Sequence, residues 1–323
     1  MTAYEDYTSI KKVTQLHRVA ALRRWIGGGV CRCTIRLDGK TVLVTGANSG
    51  IGKETSRDLA RRGARVVMAC RDLSRAVQAA EEIRKSTGNG NVVVRHLDLA
   101  SLYSVRTFAK EFLDTEDRLD ILINNAGVMM CPKRLTEDGF ETQLAVNHLG
   151  HFLLTNLLLP KLRSSSPSRV VNVSSIAHRG GKTADISPNP SRSKLANILF
   201  TRDLARRLKG SGVSAFCLHP GVIRTELGRH VESWFPLLGA LLRLPALLLM
   251  KTPWQGCQTT LFCAVTPGLE DRSGCYFSDC EEREAAPEGR DDEAARRLWD
   301  ASARLVRLGD ISSVSQDQTE SHR

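Results

Sequence analysis

The chain has 323 residues, 41% of them hydrophobic, and carries 46 Lys and Arg against 35 Asp and Glu, a formal charge of +11. That is enough for a sizeable core in one large α/β domain with tails, and too long to need disulfide staples. The basic balance suits a phosphate-rich ligand, an anionic membrane surface or nucleic acid, but no nucleic-acid motif is present and the cations are spread along the chain, so no nucleic-acid partner is expected.

Residues 1–37 precede the first strand as a basic arm. KKVTQLHRVAALRRWI can form a helix with Val19, Leu22 and Ile26 on one side, able to lie on an anionic surface or to rest on the domain. It holds no run of about 20 apolar residues, so no spanning anchor is read there. Residues 1–25 also lack a continuous apolar signal region.

KTVLVTGANSGIGKE (40–54) is the most informative stretch. Thr41 to Thr45 reads as a buried strand, Gly46, Gly50 and Gly52 as a turn, and KETSRDLARRG as a helix closed by Gly63. Glycines in a strand–turn–helix unit let the chain turn sharply, let phosphate oxygens approach the main chain, and let helix and strand pack closely. Asn48, Ser49 and Ile51 belong to the same loop, at the helix N-terminus, where unpaired N–H groups face an anion.

ARVVMAC (64–70) is the second strand. Cys70 and Arg71 stand where the adenosine ribose is met, with no acid until Asp72. A guanidinium pairs with a 2′-phosphate, so NADP(H) is expected over NAD(H). A helix over 73–87 ends at GNGN, and Val92 to Leu97 is the third strand, followed by Asp98 and Leu99. After a helix over 101–115 comes LDILIN (119–124), ending in Asn125, Ala126 and Gly127. A helix through Phe140 to Leu159 carries Asn147, Arg169 to Val173 is the fifth strand, and Ser174 and Ser175 follow it. A helix over 193–209 holds Lys194, and the sixth strand, Val213 to Leu218, leads to Pro220 and Gly221. Strands alternating with helices predict a doubly wound, Rossmann-type parallel sheet with helices on both faces, spanning 38–309 as a single domain. Ligands bind beyond the carboxyl ends of such strands. No C-x-x-C array occurs among the nine cysteines, so no metal site is expected, and a reducing, cytosol-facing environment is the simplest fit.

TGANSGIG (45–52), DL (98–99), NNAG (124–127), VNHLGHFLLT (146–155), VNVSS (171–175), SKLAN (193–197) and HPG (219–221) stand in an order that resembles the short-chain dehydrogenase/reductase family. ACRD, NNAGVMMCP and SGCYFSDC look like its retinol dehydrogenase branch. The resemblance covers roughly 38–307. It implies that Asp98 and Leu99 flank adenine, that Asn125 to Gly127 line the coenzyme, and that Lys194 binds the nicotinamide ribose. Pro220 and Gly221 would face the carboxamide, Ser175 would hydrogen-bond the substrate oxygen, and the Asn147 backbone would hold a proton-relay water. The implied reaction is hydride transfer between NADP(H) and an apolar alcohol or aldehyde, such as a retinoid. Relatives pair through helices and attach to intracellular (endoplasmic reticulum) membranes, which makes a homodimer and a peripheral membrane surface expected partners.

The family's acid/base is a tyrosine four residues before the lysine; here that position is Pro190 in SPNPSRSKLAN. The tyrosines are Tyr4, Tyr7, Tyr103 and Tyr276, none in this segment. Proline has no ionisable group, and Ser175, Ser191, Ser193 or a water would substitute poorly. The segment 176–192 is also shorter than in the branch, which a skipped exon or damaged gene model explains together with the missing tyrosine. The alternative reading is therefore an inactive NADP(H)-binding protein or partial splice product that works as a partner. Residues 222–250, with SWFPLLGALLRLPALLLM, read as an apolar substrate lid broken by Arg243 and Pro245, or as a membrane-dipping segment. Residues 254–266 and 291–308 read as helices, 274–277 as a short strand, and 310–323 as a disordered tail.

Overall fold

A computed structural model describes residues 27–129, 131–132, 134–180, 190–223 and 250–309, with the backbone alone at 190–192. The basic helix expected before Gly27, most of the apolar stretch over 222–250 and the tail over 310–323 lie outside the described residues.

The strands are β1 (Thr41–Thr45), β2 (Arg65–Cys70), β3 (Val92–His96), β4 (Ile121–Asn124), β5 (Ser168–Val173), β6 (Val213–His219), β7 (Tyr276–Ser278) and β8 (Glu281–Arg283). They form one sheet in the order β3-β2-β1-β4-β5-β6-β7-β8, parallel except for β8. The helices are α1 (Gly50–Arg61), α2 (Leu73–Thr87), α3 (Leu102–Thr115), α4 (Gly150–Ser164), α5 (Pro190–Arg207), α6 (Pro253–Val265) and α7 (Asp292–Leu305). β1, β4 and β6 are buried along their whole length, which is why they read as continuous apolar runs rather than as alternations.

Each face of the sheet has its own core. Leu59 and Ala60 of α1, Ile83 of α2 and Leu261 of α6 cover one face, together with Val42, Val44 and Phe277. Phe108 and Phe112 of α3, Phe152 and Leu158 of α4, and Phe200 of α5 cover the other, closed by Trp299 of α7. β1 has β2 on one side and β4 on the other, so the winding reverses between β1 and β4. Their carboxyl ends open a crevice at that switch point.

Two features differ from the sequence expectation. The helix expected through Phe140 to Leu159 is a short turn, Thr142–Leu144, then a π-helical turn, Ala145–Leu149, that runs into α4. The last strand falls at Tyr276–Ser278 and turns back into β8 through Asp279 and Cys280, both at positive φ (55° and 59°). Positive φ at both loop residues is the two-residue hairpin turn usually built from Asn-Gly. Here the Lys251 ammonium on Asp279 (2.5 Å) and the Cys280 N–H donated to Thr259 Oγ1 (3.2 Å) hold it instead.

At the opposite edge of the crevice strands, Asp120 ties β1 to the start of β4. Its carboxylate accepts from Thr41 N–H at 2.9 Å and from Arg118 at 2.7 Å, and faces Lys40 at 3.0 Å, while the residue is 3% exposed. Burial pushes its pKa up, but the Arg118, Thr41 and Lys40 contacts outweigh burial and hold it below the usual carboxylate range. A depressed folded pKa contributes stability above the unfolded value of about 3.9, lost as pH falls through the folded value. Asp120→Ala is expected to cost about 2–4 kcal/mol at pH 7, discounted for half-exposed partners, and the difference is expected to shrink as pH falls below the unfolded value and through the lower folded one. Urea unfolding along an acid pH series measures it.

Candidate active site

At the crevice, β1 ends in Gly46 at φ +63°. A side chain at Gly46 would meet Ala126 Cα at 2.9 Å, and one at Gly52 would meet the Gly46 carbonyl oxygen at 2.3 Å and Asn125 Nδ2 at 2.5 Å. Asn125 Nδ2 in turn donates to the Thr45 carbonyl at 2.9 Å, so the ends of β1 and β4 and the start of α1 are fastened at van der Waals limits. Ser49 at the N-cap of α1 makes no side-chain cap bond, and the leading N–H groups of the helix stay available to an anion.

A cavity of about 400 Å³ runs along this crevice. From the glycine loop it takes Gly46, Asn48, Ser49, Gly50, Ile51 and Gly52; from the ends of β2 and β3, Arg71, Asp98 and Leu99. Asn125, Ala126 and Gly127 line it after β4, Ser175 after β5, and Pro220 and Gly221 after β6, with Asn147 and Lys194 reaching in from the helical side. Every site residue expected from the sequence thus borders one space. Its volume lies in the range of small-molecule sites, and its walls at Gly46 and Gly52 admit backbone contact where a Cβ would intrude. These residues fit a dinucleotide. Arg75, Val128 and Ile223, which the sequence does not mark as site residues, also line the cavity, as do Cys70 and Asp72. The available signal for Arg75 is its place in the first turn of α2, where its N–H is capped by Asp72 Oδ1 at 3.1 Å beside Arg71.

At the end of the cavity away from Arg71, three polar side chains converge. Asn147 clamps Val128 in both directions, accepting its N–H at 2.8 Å and donating Nδ2 to its carbonyl at 3.0 Å, and donates also to Ser193 Oγ at 3.1 Å. Lys194 Nζ donates to the Val173 carbonyl at 3.1 Å, and an added Cβ at Gly127 would lie 3.3 Å from Asn147 Oδ1 and 3.5 Å from Lys194 Nζ. Burial lowers the Lys194 ammonium to about 8, so it stays largely protonated at neutral pH. Ser175 Oγ accepts the Ala177 N–H at 3.2 Å, the turn-capping contact of a strand-end serine.

The π-helical turn explains how Asn147 comes to face the cavity. The Gly150 N–H reaches back to the Ala145 carbonyl, one residue beyond an α-helical bond. His151 Nδ1 lies 3.3 Å from the Asn147 carbonyl, and its Nε2 lies 2.9 Å from Thr45 Oγ1. Thr45 Oγ1 already accepts the N–H groups of Asn125 and Ala126, each at 3.0 Å. The Asn147 carbonyl can only accept, so Nδ1 carries the imidazole hydrogen and Nε2 accepts from the Thr45 hydroxyl, whose hydrogen also has the Ile123 carbonyl within reach at 3.4 Å. Burial lowers the His151 pKa to about 3, so the ring is neutral. Pro190 is the first residue of α5, and Lys194 follows one turn later.

A family model described as short chain dehydrogenase matches residues 40–235. Retinol dehydrogenase 12 of Homo sapiens is 53% identical over 302 residues, covering 90% of this chain and 94% of that protein. Among solved structures, an uncharacterized protein of Mycobacterium Paratuberculosis is 36% identical with a TM-score of 0.68, covering 87% of this chain and 98% of that one. An NAD(P)-dependent gluconate 5-dehydrogenase of Beutenbergia cavernae, solved with bound NADP, is 25% identical with a TM-score of 0.62, covering 76% and 96%.

Proposed function

The chain belongs to the short-chain dehydrogenase family as a retinol dehydrogenase-like oxidoreductase, and from that premise we propose that its cleft binds NADP(H) and interconverts an apolar alcohol and aldehyde of the retinoid class. The carrying observation is that the glycine cradle, Arg71, Asn147, Ser175 and Lys194 border one cavity at the switch point. In this reading the α1 N-terminus takes the pyrophosphate, Arg71 the 2′-phosphate, and Asp98 with Leu99 the adenine. Pro220 and Gly221 meet the carboxamide, and Lys194 the ribose hydroxyls. When bound, the reduced coenzyme supplies a hydride. Ser175 donates its O–H to the substrate oxygen while the Ala177 N–H holds the hydroxyl from behind. The Lys194 ammonium offsets negative charge on that oxygen, and Asn147 keeps the β4 loop and α5 in register. The apolar sequence over 222–250 goes with an apolar substrate, and attachment to an intracellular membrane of the endoplasmic reticulum type is what the sequence resemblance implies.

Titration of the full chain by nicotinamide fluorescence tests the coenzyme, followed by all-trans-retinal reduction. Arg71→Glu is expected to weaken NADPH by roughly ten- to hundredfold, since it replaces charge-assisted bonds by repulsion, with NADH changed little. Equal loss for both coenzymes would remove Arg71 from the 2′-phosphate role.

Pro190 favours a second reading, a family member that binds NADP(H) and does not turn over, acting as a partner or sensor. NADPH binding without retinal reduction separates it from the first. Among the described residues, no helix is long and apolar enough to cross a membrane.

A further inference from the structure

His219 ends β6 directly before the Pro220–Gly221 turn and is 8% exposed. Its Nδ1 accepts two backbone N–H groups, from Ile176 at 3.2 Å and from Gly221 at 3.4 Å. These donors follow the carboxyl ends of two neighbouring strands, β5 and β6. Ile176 follows Ser175 after β5, and Gly221 lines the cavity after β6. A ring nitrogen that accepts carries no hydrogen, so the imidazole is neutral with its hydrogen on Nε2. The surroundings favour this state: burial first, then the Lys251, His178 and Arg179 charges, opposed only by Asp279, together bring the His219 pKa down to about 4.

A second imidazole supports the same turn. His178 is fully buried, and its Nε2 accepts the Ala286 N–H at 3.1 Å. The hydrogen therefore sits on Nδ1, which donates to the Ser175 carbonyl at 2.7 Å. Ser175 is held at its carbonyl by one neutral ring, and the next N–H by another.

We propose that His219 is a positioning residue that couples the substrate and coenzyme halves of the cleft, one unprotonated nitrogen fixing both the Ser175–Ile176 turn and the Pro220–Gly221 turn. The inference rests on the NADP(H) reading and adds a residue outside the cavity wall. Removing the acceptor leaves two N–H groups without a partner and frees each turn to move independently. The nicotinamide end of the site is disturbed, and the adenosine end, some strands away across β1 and β2, is not.

The test is calorimetric titration of the full-length chain and its variants His219→Leu and His219→Asn with NADPH and with adenosine 2′,5′-bisphosphate, which lacks nicotinamide. Leu removes the acceptor; Asn places an amide oxygen near the Nδ1 position. H219L is expected to weaken NADPH about tenfold, the scale of unsatisfied buried N–H groups, while the bisphosphate stays within about twofold. H219N is expected to bind NADPH within about threefold of the natural chain. Equal weakening of both ligands in H219L means general loosening and overturns the proposal, as does H219N as weak as H219L. If the natural chain binds NADPH and H219L matches it, the proposal alone falls. If the natural chain binds neither ligand, the NADP(H) reading falls with it.

Discussion

Pro190→Tyr raises the rate of all-trans-retinal reduction by about 10²–10⁴-fold over the natural chain, the usual contribution of a positioned acid/base. Hydride arrival at a carbonyl carbon leaves an alkoxide that must take a proton. A phenol provides it at neutral pH when a cation alongside lowers its pKa. Lys194 is that cation, and positions 190 and 194 are i and i+4 of α5, which share a helix face. Position 190 is also the first residue of the helix, where the backbone N–H is an orphan and proline is tolerated, so the replacement removes no helical bond. Burial brings the Lys194 ammonium to about 8, so the gain in reduction is expected to fade as pH rises through that value and the lysine loses its charge. Adding Lys194→Ala to P190Y should return the rate to the starting level. The assay follows NADPH absorbance with retinal in excess. A P190Y chain that binds NADPH as tightly as the natural one, yet reduces retinal no faster, would shift the defect from the acid at position 190 to the rest of the 176–192 segment.

The parallel sheet could be read from the sequence because β1, β4 and β6 are buried on both faces and therefore uniformly apolar, with turn residues at each carboxyl end. The site could be read for the same reason: a doubly wound sheet collects those ends in one place, so Gly46, Arg71, Asn125, Ser175 and Gly221 had to be neighbours if the strands were right. What escaped depends on contacts that periodicity does not encode. The π-helical turn at 145–149 preserves an apolar helical pattern and shifts only one hydrogen bond, so the sequence carries no mark of it. The β7–β8 turn lacks the Asn-Gly signal because Lys251, 28 residues upstream of Asp279, stabilises it. His151, His178 and His219 look like core histidines until the tips of β1, β5 and β6 are adjacent and each ring nitrogen has a named partner. The arm before Gly27 and the apolar stretch over 222–250 were read from composition alone.

Gly52→Ala is expected to lower NADPH affinity by about 10²-fold and stability by about 1–3 kcal/mol, the cost of overpacking a close contact. The new methyl would lie 2.3 Å from the Gly46 carbonyl oxygen and 2.5 Å from Asn125 Nδ2. Neither neighbour gives way cheaply. Gly46 is backbone held by its own N–H donated to the Ala69 carbonyl at 2.9 Å, and Asn125 Nδ2 is already bonded to the Thr45 carbonyl. The strain is relieved by α1 lifting from the sheet, which withdraws its leading N–H groups from the place where a pyrophosphate would sit and weakens the dipole's hold on it. Affinity then falls because the anion's donors have moved, not because a side chain fills the space. Gly90→Ala is the matched control: it adds the same methyl where nothing lies within 4 Å, and should leave both quantities unchanged. Retained NADPH affinity in G52A, measured beside G90A by calorimetry and urea unfolding, would mean that the close approach of helix and strand is not what seats the phosphates.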